Sequence, residues 1–145
     1  MNLEEAKAIR DDLINREGTT EELALIINDV TMYCHGAAFA CGWWHEKNGQ
    51  PKDIANKDFI AAKIALMHSE LSEALEGWRK DLKDDHLPEF DMFTVELADT
   101  IIRIMDTAGA LGLPLGDALS KKLQYNMTRA DHRPENRNAP GGKAI

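Results

Sequence analysis

Cysteine and proline are scarce in this sequence of 145 residues, and no low-complexity run or internal repeat divides it. The two cysteines, Cys34 and Cys41, are seven residues apart in a helical pattern, so they lie on one face about two turns apart and cannot bridge each other. We expect buried free thiols in a reducing compartment rather than redox or metal-binding groups. A chain of this length can bury the core of one domain without disulfides or a structural metal.

Targeting signals are also lacking. The first residues, MNLEEAKAIRDD, do not have the basic-then-apolar plan of a signal peptide. No apolar run approaches the roughly 20 residues that a membrane span requires. We therefore expect a soluble, cytoplasmic protein that has no membrane partner.

Positive charge is in deficit, because the formal net charge is −8. A chain with this balance lacks the basic face that duplex nucleic acid requires, so we expect no nucleic-acid partner. Residues 121–145 nevertheless carry a net charge of +4, which leaves −12 for the rest. An acidic body with a basic end suits a ligand that is both metal-bound and phosphorylated, although a solvated acidic surface with a basic tail explains the charge equally well.

Alternation of apolar and polar residues with period two is rare, and helical periodicity takes its place. The sequence predicts an all-α helical bundle of four main helices and a weaker N-terminal one. The predicted domain covers residues 1–130, and residues 131–145 are expected to be a flexible basic tail. The helices are predicted at about 3–16, from the Thr19–Thr20 cap to about 46, and at about 57–80, 91–111 and 115–129.

The third predicted helix contains a carboxylate, Glu70, in the middle of its apolar stripe. A buried carboxylate without a cation is costly enough to shift its pKa and lose its charge. Lys63 lies two turns earlier and nearly in line with Glu70, so an internal ion pair is one interpretation. Glu73 follows one turn later, at the edge of the same stripe.

The fourth predicted helix offers a second interpretation of the carboxylate in the apolar stripe. It places Glu96 and Asp99 one turn apart, beside Arg103 and Asp106, in a polar stripe that on its own is most simply a solvated one. If the two helices face each other, four carboxylates converge and need a cation. Oxygen ligands suit Mg²⁺ or Mn²⁺, which also accept phosphate oxygens. A di-iron bundle is less favoured, because its Glu-x-x-His signature is missing here.

Four blocks of the sequence together resemble the MazG-like family of all-α nucleotide pyrophosphohydrolases, in particular its short single-domain bacterial and phage members. The resemblance covers about residues 25–130. It implies Mg²⁺-dependent hydrolysis of a nucleoside or deoxynucleoside triphosphate to the monophosphate and pyrophosphate, with Mn²⁺ as a possible substitute. The blocks are GWWHEKNG (42–49), KIALMHSELSEALEGWRK (63–80), VELADTIIRIMDTAG (95–109) and KLQYNMTR (122–129).

The resemblance also implies roles for particular residues. The implied metal ligands are Glu70, Glu73, Glu96 and Asp99. Glu70 and Glu73 are the predicted catalytic residues, and we favour Glu73 as the group that accepts the proton of the attacking water. The last helix carries a K-x-x-x-N-x-x-R pattern on one face, which the family assigns to substrate contact. The predicted substrate-binding residues are Lys63, Lys122, Asn126, Arg129, Trp43 and Lys143.

The adjacent tryptophans are expected to have different surroundings. Trp44 continues an apolar stripe and is expected in the core, whereas Trp43 either packs in the core or a dimer interface or faces a cleft where a base stacks. A homodimer or tetramer is expected from the long apolar helices and from the family. The alternative function is a non-catalytic helical interaction protein, in which the carboxylates decorate an interface and the Trp pair anchors a partner.

Overall fold

A computed structural model describes residues 2–15, 19–130, 136 and 140 of the chain. Within these residues the secondary structure consists of five helices and no strands, which confirms the all-α prediction. Two isolated β-bridges, His45 with Pro51 and Lys83 with Asp91, close short loops. The helices are α1 (Leu3–Asn15), α2 (Thr19–Ala40), α3 (Lys57–Lys80), α4 (Met92–Ala110) and α5 (Leu115–Thr128).

The ends of α3 are set by local signals. The side chain of Asn56 caps its N-terminus by accepting hydrogen bonds from the backbone N–H groups of Asp58 and Phe59. At the other end, Asp81 adopts a left-handed conformation with φ of 51°, and its N–H donates to the carbonyl of Gly77. The predicted range of 57–80 is therefore confirmed.

The prediction that α2 continues to about residue 46 is wrong. The helix ends at Ala40, and Gly42, with φ of 82°, turns the chain out of the helical path. A tight turn follows, in which Trp44 accepts a backbone hydrogen bond from Lys52. Trp43 and Trp44 consequently lie on a turn, where adjacent side chains point in different directions.

The chain divides into two compact units, Met1–Asn28 with Pro114–Ile145, and Asp29–Leu113. In the first unit α1 packs against α5, and the backbone of Gly116 lies so close to the carbonyl of Ala24 that a Cβ atom at position 116 would clash with it. Apart from residues 136 and 140, the predicted tail 131–145 lies outside the described residues.

The second unit is built on an antiparallel pair of helices, α3 and α4. Their register is fixed at both ends: Trp78 packs against Phe93 with ring centroids 5.2 Å apart, and Lys63 pairs with Asp106. At Gly77 the side chain and backbone of α4 approach so closely that only a glycine fits without displacement. Residues near the middle of α3 therefore face residues near the middle of α4.

The interior of the second unit is unusually polar. Its buried apolar residues, among those described, are Trp44, Ala74 and Ala108. Carboxylates and hydroxyl groups fill the space between the helices, while many large apolar side chains lie on the outside. The buried polar residues of this unit are Thr31, Glu70, Glu96, Thr100, Asp106 and Thr107.

One described segment, Thr20–Ala40, is long and apolar enough to cross a membrane by length and composition, with a mean hydropathy of 1.3. The core helix of a soluble protein and a signal sequence pass the same test, so this is weak evidence for a membrane span. The expectation that no apolar run approaches the length of a span is wrong for this segment.

Candidate metal centre

The antiparallel packing of α3 on α4 brings together three carboxylates, which we call the acidic cluster: Glu70, Glu96 and Asp99. One oxygen atom of each lies within 4.8 Å of the others. Glu70 and Glu96 are only 6 % and 8 % exposed, and Asp99 is the most accessible of the three. The structure thus joins three of the four carboxylates that the sequence placed on facing helices.

Mutual repulsion and burial change the proton affinity of the acidic cluster. Burial, a hydrogen bond with Glu70 and the charges of Glu73, Glu70 and Asp99 raise the pKa of Glu96 to about 7. The pKa of Asp99 is raised as well, by burial and then by the charge of Glu70. At neutral pH the cluster therefore shares a proton unless another cation replaces it.

Glu73, the fourth predicted ligand, lies beside the acidic cluster. It is exposed on α3, one turn after Glu70, and stands outside the 4.8 Å grouping formed by the described side chains. Its charge still contributes to the raised pKa of Glu96. The structure therefore places Glu73 near the cluster, on its solvent side.

The cation that meets Glu70 is Arg103. Its Nη2 atom lies 2.7 Å from Oε1 of Glu70, and the guanidinium is partly exposed. Lys63, the partner considered from the sequence, instead pairs with Asp106 at 3.1 Å. Arg103 rather than Lys63 is the partner of Glu70 because Arg103 follows Asp99 by one helical turn. The register of α4 that places its carboxylates opposite Glu70 therefore places the guanidinium there as well.

Asp106 is the centre of a second buried network. Its Oδ1 atom accepts a hydrogen bond of 2.6 Å from Nε1 of Trp44 and lies 3.1 Å from Nδ1 of His35, while Oδ2 receives the Lys63 ammonium. The Lys63 ammonium also lies 4.1 Å from the centre of the Trp44 ring. The prediction of a solvated polar stripe on α4 is thus wrong for Asp106 and also for Glu96, since both are buried.

A cavity of about 660 Å³ adjoins the acidic cluster. Its size falls in the range of small-molecule sites, and its wall is mainly apolar with a few charged groups. Asp99 belongs to the cavity wall as well as to the cluster, and Arg103 lines the cavity while its guanidinium pairs with Glu70. The wall comprises Tyr33, Cys34, Ala37, Ala38, Cys41, Trp43, Lys52, Phe59, Ala62, Lys63, Leu66, Asp99, Ile102, Arg103 and Asp106.

The two adjacent tryptophans have different surroundings. Trp44 is 3 % exposed, as expected for a core residue, and its ring packs edge-on against Phe59. Trp43 is 68 % exposed and borders the cavity, so the cleft interpretation describes its position and the core interpretation does not. Of these two tryptophans, only Trp43 is accessible to a ligand.

The cysteines are free, but they are not buried as expected. Cys34 is half-buried and Cys41 is exposed, and both line the cavity. Burial and the charge of Asp106 raise the pKa of the Cys34 thiol, so it is a weak nucleophile. The expectation of core thiols is wrong because the apolar stripe of α2 borders the cavity.

The predicted substrate residues of the last helix lie in the first unit. Lys122 and Asn126 are on α5, and Arg129 is the residue that caps its C-terminus. Lys122 and Arg129 both approach the ring of Tyr125, at 4.8 and 5.7 Å from its centre. Oδ1 of Asn126 is buried and has no hydrogen-bond partner in the described part of the chain. Lys143 lies outside the described residues.

Comparisons with known proteins do not add an identification. No protein-family model, no curated protein and no solved structure matches this chain. The resemblance to the MazG-like family therefore remains a prediction from the sequence, and the site is interpreted from its own chemistry.

Proposed function

We propose that this protein hydrolyses a nucleoside or deoxynucleoside triphosphate to the monophosphate and pyrophosphate in a reaction that depends on Mg²⁺, as a MazG-like pyrophosphohydrolase of the cytoplasm. One observation carries the proposal: carboxylates from two facing helices converge beside a 660 Å³ cavity, and one of them, Asp99, also belongs to the cavity wall. A metal site beside a cavity of this size suits a substrate that has an organic part and an anionic part.

The donor set supports a divalent metal. Glu70, Glu96 and Asp99 offer only oxygen atoms, which hard cations such as Mg²⁺ and Mn²⁺ prefer, and the raised pKa of Glu96 reflects a repulsion that such a cation relieves. In the proposed site these three residues and Glu73 hold the ion. When bound, the ion neutralises the phosphate chain and increases the acidity of a water molecule.

The residues of the chain supply the other functions. Glu73 is the proposed proton acceptor for the attacking water, because it is exposed and lies beside the ion-binding oxygens. Arg103 neutralises Glu70 in the metal-free protein. Once a metal ion takes over Glu70, the guanidinium is available to a phosphate oxygen at the cavity wall.

The cavity is the proposed site of the base and sugar. Trp43 exposes its ring at the border, where a base can stack, and Lys63 is held in place by Asp106 and Trp44. From the family resemblance alone, Lys122, Asn126, Arg129 and Lys143 are proposed as phosphate contacts.

The exposed apolar surface supports a second candidate function. The chain exposes many large apolar side chains, which is the expected surface of a helical interaction protein without catalytic activity. In that case the acidic cluster is a structural feature stabilised by Arg103, and neither a metal nor a triphosphate binds.

A panel of the canonical ribonucleoside and deoxynucleoside triphosphates with Mg²⁺ tests the proposal. We expect monophosphate and pyrophosphate in equal amounts from at least one of them, and no product after chelation of the metal. Thermal unfolding with Mg²⁺ and a non-hydrolysable triphosphate distinguishes the alternative, since a ligand that binds the folded state raises the unfolding temperature. If the panel gives no product and no thermal shift, the interaction protein is the favoured function.

A further inference from the structure

A buried ion pair, Lys63 with Asp106, lies in the wall of the cavity. Nζ of Lys63 is 3.1 Å from Oδ2 of Asp106, and the two side chains are only 15 % and 8 % exposed. Both residues belong to the cavity wall. An ion pair at this depth is costly unless further hydrogen bonds support it. The pair therefore gives a mainly apolar wall a buried polar point whose other contacts decide what it can bind.

Asp106 has little capacity left for a ligand. Its Oδ1 atom accepts a hydrogen bond of 2.6 Å from Nε1 of Trp44 and lies 3.1 Å from Nδ1 of His35, which favours the tautomer that carries its proton on this nitrogen. Its Oδ2 atom receives the Lys63 ammonium. Nitrogen atoms from α2, from the turn after it and from α3 thus surround one carboxylate. Asp106 therefore holds other side chains in place rather than accepting a hydrogen bond from a ligand.

Lys63, in contrast, keeps donor capacity. An ammonium group carries three N–H bonds, and among the described residues Asp106 accepts one of them. The ring of Trp44, whose centre lies 4.1 Å from Nζ, stabilises the charge through its face and offers no lone pair. At this point of the wall a ligand consequently meets a hydrogen-bond donor, and the neighbouring carboxylate is already occupied.

The distance between this donor and the acidic cluster suits a nucleotide. Lys63 precedes Glu70 by seven residues and Asp106 follows Asp99 by seven, so on each helix the ion pair lies about two turns, or roughly 10 Å, from the cluster. A nucleoside has about this length from its 5′ oxygen to the far edge of its base. With the phosphates at the cluster, as in the proposed function, the edge of the base remote from the sugar reaches Lys63.

The nucleobases differ in the group that they present at this remote edge. Uracil, thymine and guanine carry a carbonyl oxygen there, whereas cytosine and adenine carry an amino group. A carbonyl oxygen accepts a hydrogen bond from the Lys63 ammonium. An amino group would face that ammonium with its own N–H bonds and would find Asp106 occupied, so it would lose the hydrogen bonds that it makes in water.

We propose that Lys63 is a specificity-determining residue that selects nucleotides whose base carries a carbonyl group at the edge remote from the sugar. Asp106 is the positioning residue that holds the ammonium at the cavity wall. The substrates are then the triphosphates of uracil, thymine and guanine rather than those of cytosine and adenine. This inference rests on the proposed function for the placement of the phosphates, and it adds the class of base.

Isothermal titration calorimetry of the full chain with Mg²⁺ tests the proposal. The probes are the α,β-imido analogues of dUTP and dCTP, which resist cleavage between the α- and β-phosphates and differ in the group at the remote edge. We expect the dUTP analogue to bind at least about tenfold more tightly, and Lys63→Met to bring the two dissociation constants within about twofold of each other. Lys57→Met is the matched control: Lys57 is exposed in the first turn of α3, outside the cavity wall, and its variant should keep the wild-type ratio.

A second variant tests the role of Asp106. Asp106→Asn keeps an acceptor for Trp44 but loses the charge that holds Lys63, so the preference for the dUTP analogue should fall towards the Lys63→Met value. The rise in unfolding temperature that Mg²⁺ produces should be retained, which a general loss of structure would not allow. If Lys63→Met loses its helical circular dichroism, the double variant Lys63→Met with Asp106→Asn takes its place, because it removes both charges of the pair together.

The proposal is overturned if the wild type binds the two analogues equally, prefers the dCTP analogue or binds neither. A ratio that is unchanged in Lys63→Met, or in the double variant that replaces it, overturns the role of Lys63 as well. Release of pyrophosphate from unmodified dUTP and dCTP is measured separately. Release from both at equal rates, with equal binding of the analogues, keeps the proposed function and removes the specificity. Selective binding without any release keeps the specificity and removes the catalysis.

Discussion

The acidic cluster and a set of exposed apolar side chains belong to the same two helices, yet they have opposite environments. We call this set the apolar face; it comprises Leu71, Leu75, Trp78, Leu97, Ile101 and Ile104. Carboxylates of α3 and α4 are buried between the helices, while leucine, isoleucine and tryptophan side chains of the same helices are exposed. An isolated amphipathic helix pair would have the reverse arrangement. The cost of burying like charges is reduced by the raised pKa of Glu96 and by the Arg103 guanidinium, and a bound cation would reduce it further. The cost of exposing apolar surface is offset where a partner covers it.

The acidic cluster and the apolar face therefore have different explanations. The acidic cluster is polar where packing alone would favour apolar residues, which is why its residues are proposed to bind a ligand. The apolar face is better explained by association. Substitutions that affect one region and not the other therefore test the comparison.

The largest expected effect concerns the buried carboxylate on α3. Glu70→Gln should lower pyrophosphate release by about a hundredfold or more, because a metal ligand contributes several kcal/mol to the stabilisation of the transition state. The helical circular dichroism should be unchanged. Glu76→Gln is the matched control on the same helix: Glu76 pairs with Lys80 at the surface, and its variant should stay within about twofold of wild type. Equal activities for the two variants would remove Glu70 from the mechanism.

The next effect separates the two tryptophans. Trp44→Phe removes the hydrogen bond to buried Asp106 and should lower the free energy of unfolding by about 1–3 kcal/mol, as measured by chemical denaturation. Trp43→Phe should change it by less than about 0.5 kcal/mol, because the side chain is exposed. In the proposed enzyme Trp43→Ala raises KM instead. The account of the cavity is wrong if Trp43 proves the more important residue for stability.

A smaller effect concerns the cation at the acidic cluster. Arg103→Gln should destabilise the metal-free protein by about 1 kcal/mol, a modest value because the guanidinium is partly exposed. Mg²⁺ should then raise the unfolding temperature by more than it does in the wild type, since no side-chain cation competes for Glu70. The control is Arg79→Gln, which breaks only a surface pair with Glu76. An identical metal response in the two variants would contradict the competition.

The last effect is the pH dependence of stability. Because the pKa of Glu96 is raised from 4.5 to about 7, the folded chain keeps a proton that the unfolded chain releases. The stability of the metal-free protein should therefore fall as the pH rises from 4.5 to about 7, and then level off. Glu96→Gln should flatten this part of the curve. In the wild type the affinity for Mg²⁺ should increase over the same pH range, because the metal and the proton compete for Glu96. A wild-type curve that rises over this interval would contradict the assignment.

Local signals in the sequence predicted much of the fold. The helical period of the apolar residues and the acidic pairs at i and i+3 are visible in one helix at a time, so the bounds of α3 and the burial of Glu70 follow from the sequence. The pairing of Arg103 with Glu70 and the burial of Asp106 depend on the register between helices, which no single helix reveals. Gly42 was an available signal for the end of α2, since a glycine with positive φ commonly ends a helix.

Binding of Mn²⁺ to the full chain, followed by the decrease in the electron paramagnetic resonance signal of the free ion, tests the central claim most directly. We expect the wild type to bind Mn²⁺, Mg²⁺ to displace it, and the variants Glu70→Gln and Glu96→Gln to lose most of this binding while Glu76→Gln retains it. Binding that is absent from the wild type, or unchanged in all three variants, would contradict the claim that carboxylates of α3 and α4 form a metal site.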